Sequence, residues 1–135
     1  MIDVKFSKEI PGIYKELNEK FGVKWDDGII ICYGNTIHCK QDISPDKLVH
    51  ETVHVKQQEK IGKDEWWRMY IDVPSFRLEQ EVEAYRAEYQ FIKRNIKNRE
   101  VVFNFLVRMA KHLSSENYGD IITTDEAIKL ICQSK

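Results

Sequence analysis

The stretch Leu48–Gln58 reads "LVHETVHVKQQ", and within it His50, Glu51 and His54 form the pattern H-E-x-x-H. On a helix, residues four apart lie one above the other, so both imidazoles can reach a single ion. Neutral imidazole is a good zinc ligand, and one helical turn suits a tetrahedral site. Glu51 projects about 100° around the helix from His50, beside such an ion rather than on it. From there it could take a proton from an attacking water and pass it to a leaving amine. Glutamate is ionised at neutral pH, and a dry cleft raises its pKa toward the working range. Glu51 is also the only charged residue from Leu48 to Val55. The helix is therefore expected to be buried, where histidines need polar partners.

The flanking residues mark out the elements around this helix. Ser44 is a good N-cap, Pro45 an ideal first helical residue and Gly62 a stop, so the helix is expected from 45 to about 60. Upstream, "GIIICY" and "TIHCK" flank Gly34-Asn35, a two-residue hairpin turn. Pairing across it puts Ile30, Cys32, Ile37 and Cys39 on one face, with Ile29, Ile31, Tyr33, Thr36 and His38 on the other. The two hairpin cysteines read as small apolar core residues. "IDVKF", residues 2–6, alternates like a short strand. Ile10, Ile13, Tyr14, Leu17 and Phe21 recur at helical spacing before Gly22.

Downstream, "DEWWRMY" predicts a short helix ended by Val73-Pro74, and Ser75 is the expected cap of a long one. In that helix Leu78, Val82, Tyr85, Tyr89, Ile92 and Ile96 define one apolar stripe. A further helix is predicted from Arg99 to Leu113, with Val102, Phe105, Leu106, Met109 and Leu113 inward. Thr124 is the expected cap of the last, running through Ile131. The order predicts an α+β fold: a small N-terminal hairpin sheet packed on a mostly helical body, in one domain over residues 1–135.

A catalytic zinc usually takes three protein ligands and keeps a fourth position open. The arrangement H-E-x-x-H-x-x-G-x-x-H is excluded, because Gln57 and Lys60 stand at its later positions. His38 and His112 read as ordinary rim histidines. The acidic cluster "RLEQEVEAYRAEY" is the better source. Glu81 projects about 60° off the centre of the apolar stripe, whereas Glu83 projects about 140° and Glu79 about 100° away from it. A ligand for a buried ion belongs at the core margin, which selects Glu81 and leaves Glu79 and Glu83 to solvent. Tyr85 and Glu88 lie on the Glu81 flank, where either could hydrogen-bond a ligand.

His50-Glu51-x-x-His54 followed by Glu81-x-x-Ala84 resembles the gluzincin group of zinc metallopeptidases, over about residues 44–90. The whole outline, ending in "NYGDIITTDEAIKLI", is similar to short zincin-like proteins encoded in phage genomes. The resemblance implies a zincin-like fold, one zinc held by His50, His54 and Glu81, and Glu51 as the base in peptide-bond hydrolysis. Many gluzincins carry an aspartate four residues after the third ligand to orient a ligating histidine; here that position is Tyr85.

A net charge of −1 argues against a nucleic-acid partner, which would demand a basic face. The longest apolar run, Ile29 to Tyr33, is far too short to cross a bilayer. "MIDVKFSKEI" lacks the apolar core of a secretory signal, and three cysteines make no disulfide framework, so a cytoplasmic protein is expected. Its expected partner is a peptide or protein substrate. Tyr70, His112 and Tyr118 are the candidate donors to a developing oxyanion. Trp25, Trp66 and Trp67 read as core or rim packing, and the basic group Lys93, Arg94, Lys97 and Arg99 as helix-end charge. The alternative functions are a zinc-binding module without turnover and a virion-associated interaction protein.

Overall fold

In the computed structural model, which describes residues 3–133, the hairpin closes at Gly34-Asn35. Gly34 has φ of 65° while Asn35 does not adopt positive φ, the pattern of a tight turn whose twist matches its strands. Strands β2 (Ile30–Tyr33) and β3 (Thr36–Cys39) pair antiparallel, with Tyr33 opposite Thr36 and Cys32 opposite Ile37. This is the register the sequence predicts. Strand β1 (Lys5–Ser7) adds in parallel to the far side of β3, giving the order β1-β3-β2. A parallel pair needs a crossover, and helix α1 (Tyr14–Phe21) lies within it. The strand expected over residues 2–6 is therefore displaced to 5–7, and Ile2 lies outside the described residues. Helix α1 also starts later than its apolar spacing suggests. Ile10 precedes Pro11, which disfavours helical backbone there, and Ile10 is left exposed.

Five further helices follow: α2 (Pro45–Ile61), α3 (Lys63–Asp72), α4 (Pro74–Asn95), α5 (Arg99–Leu113) and α6 (Thr124–Cys132). A short 3-10 turn, Glu116–Tyr118, separates the last two. Two expected caps are corrected. Val73 caps α4 and Pro74 is its first residue, because the fixed φ of proline is preorganised for that position; Ser75 falls inside the first turn. Thr123, not Thr124, caps α6 through a reciprocal pair of hydrogen bonds with Glu126, which satisfies two otherwise orphaned backbone groups. Ser44 does sit at the N-cap of α2, although its side chain makes no capping bond.

The apolar residues collect in two clusters. One joins α4, α5 and α6 through Val82, Tyr85, Leu106, Met109, Leu113 and Ile131. The other joins α1, β2 and α3 through Leu17, Phe21, Ile31, Trp66, Trp67 and Tyr70. Ile31 is buried by this second cluster while Cys32, Ile37 and Cys39 are buried on the opposite face, so β2 is covered on both sides. The architecture is α+β. Among the described residues no helix is long and apolar enough to cross a membrane.

Between the clusters α2 packs along α4, and this seam is polar. Of the six residues α2 buries, only Val55 is apolar; the others are His50, Glu51, His54, Gln57 and Gln58. Helix α4 answers with buried Glu81 and Glu88 beside Ala84, while its buried Arg77 turns to the carbonyls of Tyr70, Ile71 and Tyr118. Burying such groups costs several kcal/mol each unless they are hydrogen-bonded. Among the described residues every buried side-chain nitrogen and oxygen has a partner. The seam is a preformed polar network.

Candidate metal centre

The regular turn of α2 stacks His50 over His54, with ring centroids 4.9 Å apart. Both Nε2 atoms point at one carboxylate oxygen on α4: Glu81 Oε1 lies 3.1 Å from His50 and 3.2 Å from His54. One ligand atom from each of the three residues falls within 4.8 Å of the others. Donors around a tetrahedral ion with bonds of about 2.1 Å stand roughly 3.4 Å apart. The spacing and the donor types fit a metal ion, and this buried group could hold one.

Each of these side chains is fixed by a neighbour. Glu88 Oε1 accepts from His50 Nδ1 at 3.0 Å, and its Oε2 takes a 3.1 Å bond from Lys47. Gln57 Oε1 accepts from His54 Nδ1 at 2.8 Å. The Gln57 amide cannot be reversed, since its nitrogen donates to the Gln80 carbonyl at 3.1 Å and to Glu83 at 2.6 Å. Both imidazoles are thereby held with the proton on Nδ1 and Nε2 turned toward Glu81. The other oxygen of Glu81 accepts from the Tyr70 hydroxyl at 2.6 Å.

The metal-free electrostatics follow from this geometry. Burial alone would lower the pKa of His50, but Glu81, Glu88 and Glu51 outweigh it and push it up to about 10. His54 is raised as well, Glu81 overcoming its burial. Burial would raise Glu81, yet the two histidines hold its carboxyl well below the usual range. Glu51 is buried beside them, with Oε2 at 3.9 Å from His50 Nε2. Burial raises its pKa against the opposing pull of His50 and His54.

The site opens into a cleft of about 420 Å³. Its walls are β2 with the loop before it, the aromatic face of Trp66, Trp67 and Tyr70, and the 3-10 turn around Tyr118. His50, Glu51, His54, Glu81, Tyr70, Tyr85, His112 and Tyr118 all line it. Glu83 is exposed, as its helical phase predicts, although it does support Gln57. Tyr85 packs edge-on against His50 at 4.4 Å but makes no hydrogen bond to it. Its hydroxyl is shared with His112 Nδ1 at 3.0 Å and with the Tyr118 hydroxyl at 2.9 Å. Of the two flank residues, Glu88 hydrogen-bonds His50 and Tyr85 does not. His38 turns its Nδ1 to the Glu9 carbonyl at 2.9 Å, away from the centre.

Sequence reasoning does not reach Gln57, Gln58, Lys47 or Gln80. Gln57 carries one available signal, its position three residues after His54 on the same helix face. Comparisons of the chain with protein-family models, with curated proteins and with solved structures find no match.

Proposed function

We propose that this chain binds one zinc ion through His50, His54 and Glu81 and hydrolyses peptide bonds, with Glu51 as general base. The observation that carries the reading is the convergence of both Nε2 atoms on Glu81 Oε1, with a second, buried carboxylate next to them at the floor of a cleft. A structural ion pair has no need of that second carboxylate. On this reading the fold is zincin-like and of the gluzincin type, and Glu88 supplies the carboxylate that orients His50 where Tyr85 replaces the group's aspartate.

Zinc bound there would supply a Lewis acid that polarises a carbonyl and lowers the pKa of water. The protein side of the chemistry belongs to named atoms. Glu51 accepts the proton of the attacking water and returns it to the leaving nitrogen, helped by a pKa that burial has raised. Glu88 and Gln57 keep both imidazoles from rotating. The proton of Tyr70 is committed to Glu81. With Tyr118 donating to the Tyr85 hydroxyl and Tyr85 donating to His112 Nδ1, the His112 Nε2 hydrogen is left to donate, so we assign stabilisation of the developing oxyanion to His112 on the cleft wall. Cys32, Cys39 and Cys132 are all free thiols, which supports a reducing compartment such as the cytoplasm.

The test is metal analysis of the purified protein together with peptide cleavage followed by mass spectrometry. Zinc near one equivalent per chain and chelator-sensitive cleavage are expected. Protein that carries no zinc, or that cuts no peptide when loaded, overturns the reading.

A further inference from the structure

Strand β2 is an edge strand, and half of its backbone groups face outward. Tyr33 and Thr36 flank the two-residue turn, so they exchange hydrogen bonds, as do Ile31 and His38. By alternation, Ile30 and Cys32 turn their N–H and C=O away from β3. Residues Ile29 to Cys32 line the cleft above Glu51, so this edge is where an extended peptide would add as a further strand.

The edge is not free along its length. Gln58 Nε2 donates to the Cys32 carbonyl at 2.8 Å, while Gln58 Oε1 accepts from the Gly34 amide at 2.6 Å. One side-chain amide therefore fills the acceptor at residue 32 and the donor at residue 34. A residue of a parallel neighbouring strand would use those same two groups. Trp67 Nε1 adds a second bond to the Cys32 carbonyl at 3.1 Å, and Gln58 is only 1% exposed. The plug is built in.

Taking the peptidase reading as given, we infer that Gln58 and Trp67 close the β2 edge just beyond the metal centre, so that the site takes short peptides and chain ends rather than internal segments of long chains. Gln58 lies one helical turn, about 6 Å, past His54. That is the length of about two residues of extended peptide. In the other direction the edge is unplugged at Ile30, where β2 begins, and the loop before it opens along the cleft. A substrate can therefore reach far from the centre on one side only.

The experiment is a length series of unblocked synthetic peptides, from tetrapeptides to an unfolded protein, cut by the zinc-loaded full chain and mapped by mass spectrometry. Cleavage is expected within about two residues of one chain end at every length. In Gln58→Ala, cuts should move deeper into the chain, with efficiency at internal bonds rising roughly tenfold as the Gly34 amide becomes available to substrate. Zinc content shows that the variant is folded, and the wild-type length series carries the test if it is not. Efficient internal cleavage by the wild type overturns the plug, as does an unchanged pattern in folded Gln58→Ala. Failure to cut any peptide is distinct: it overturns the peptidase reading first, and the plug with it.

Discussion

Glu88 Oε1 accepts the Nδ1 hydrogen of His50 at 3.0 Å, while Glu81 Oε1 faces the other nitrogen of the same ring at 3.1 Å. The two carboxylates stand two turns apart on α4 and hold one imidazole between them. Glu88→Gln keeps the shape but weakens the acceptor, and zinc affinity should fall about 10- to 100-fold, as for other residues that support a ligand. Tyr85→Phe, which leaves that bond intact, should change affinity far less. A competition titration against a chelator measures both. Equal losses in the two variants would remove Glu88 from its assigned role.

Glu81 and Glu83 are the sharper pair, because two positions on a helix differ by about 200°. Glu81 is buried among His50, His54 and Tyr70, whereas Glu83 is exposed and touches the centre only through Gln57. Glu81→Ala should abolish tight zinc binding and lower the melting temperature of the loaded protein, since the metal ties α4 to α2. Glu83→Ala should cost about 0.5 kcal/mol, because Gln57 keeps its bond to the Gln80 carbonyl. Melting curves with and without chelator decide it, and the reverse pattern would mean that Glu83 is the ligand.

Much of this arrangement is legible in the chain for reasons of periodicity. The Gly34-Asn35 turn sets the hairpin register, Gly62 stops α2, and the stripe of Val82, Tyr85 and Ile92 phases α4 well enough to separate Glu81 from Glu83. What stays hidden is the polar side of the seam. Glu88 is marked only as a flank residue of α4, and its bond to His50 forms only where α2 packs against it; Arg77 is buried elsewhere, on the carbonyls of Tyr70, Ile71 and Tyr118. Neutral amides carry no periodic signal at all, so Gln57 and Gln58 look like surface residues until β2 and Gln80 are in place. The parallel pairing of β1 with β3 joins residues about thirty apart in the chain, a contact that local pattern does not encode.

Glu51→Gln separates binding from turnover. The amide cannot accept a proton, so hydrolysis should fall by about 10² to 10⁴. His50, His54 and Glu81 are untouched, and zinc stoichiometry should remain one per chain. Single-turnover cleavage and metal analysis of the same preparation test both halves. A variant with full activity would mean that another group is the base.

The pH dependence of metal binding follows from the same contacts. An ordinary imidazole loses its proton near 6.5, so zinc binding to an unsupported histidine pair weakens only as pH falls below about 6. Here His50 is raised from 6.5 to about 10 in the metal-free protein, and zinc must displace that proton. Apparent affinity should therefore keep rising by up to about tenfold per pH unit between pH 7 and 9, instead of levelling off. The stability of the metal-free protein runs the opposite way. A histidine whose folded pKa is raised stabilises the fold fully below its unfolded value of 6.5, and that contribution is lost as pH rises through about 10. Glu81 acts on the acid side: its depressed pKa gives stability that is present above 4.5 and lost as pH falls further. Metal-free protein should accordingly be most stable between about pH 4.5 and 6.5, and the gap between loaded and metal-free melting temperatures should widen as pH increases. Melting curves at fixed free zinc and in chelator, from pH 4 to pH 10, measure this directly. An affinity that reaches a plateau by pH 7, or metal-free protein that grows more stable toward pH 9, would show that Glu81 and Glu88 do not hold a proton on His50.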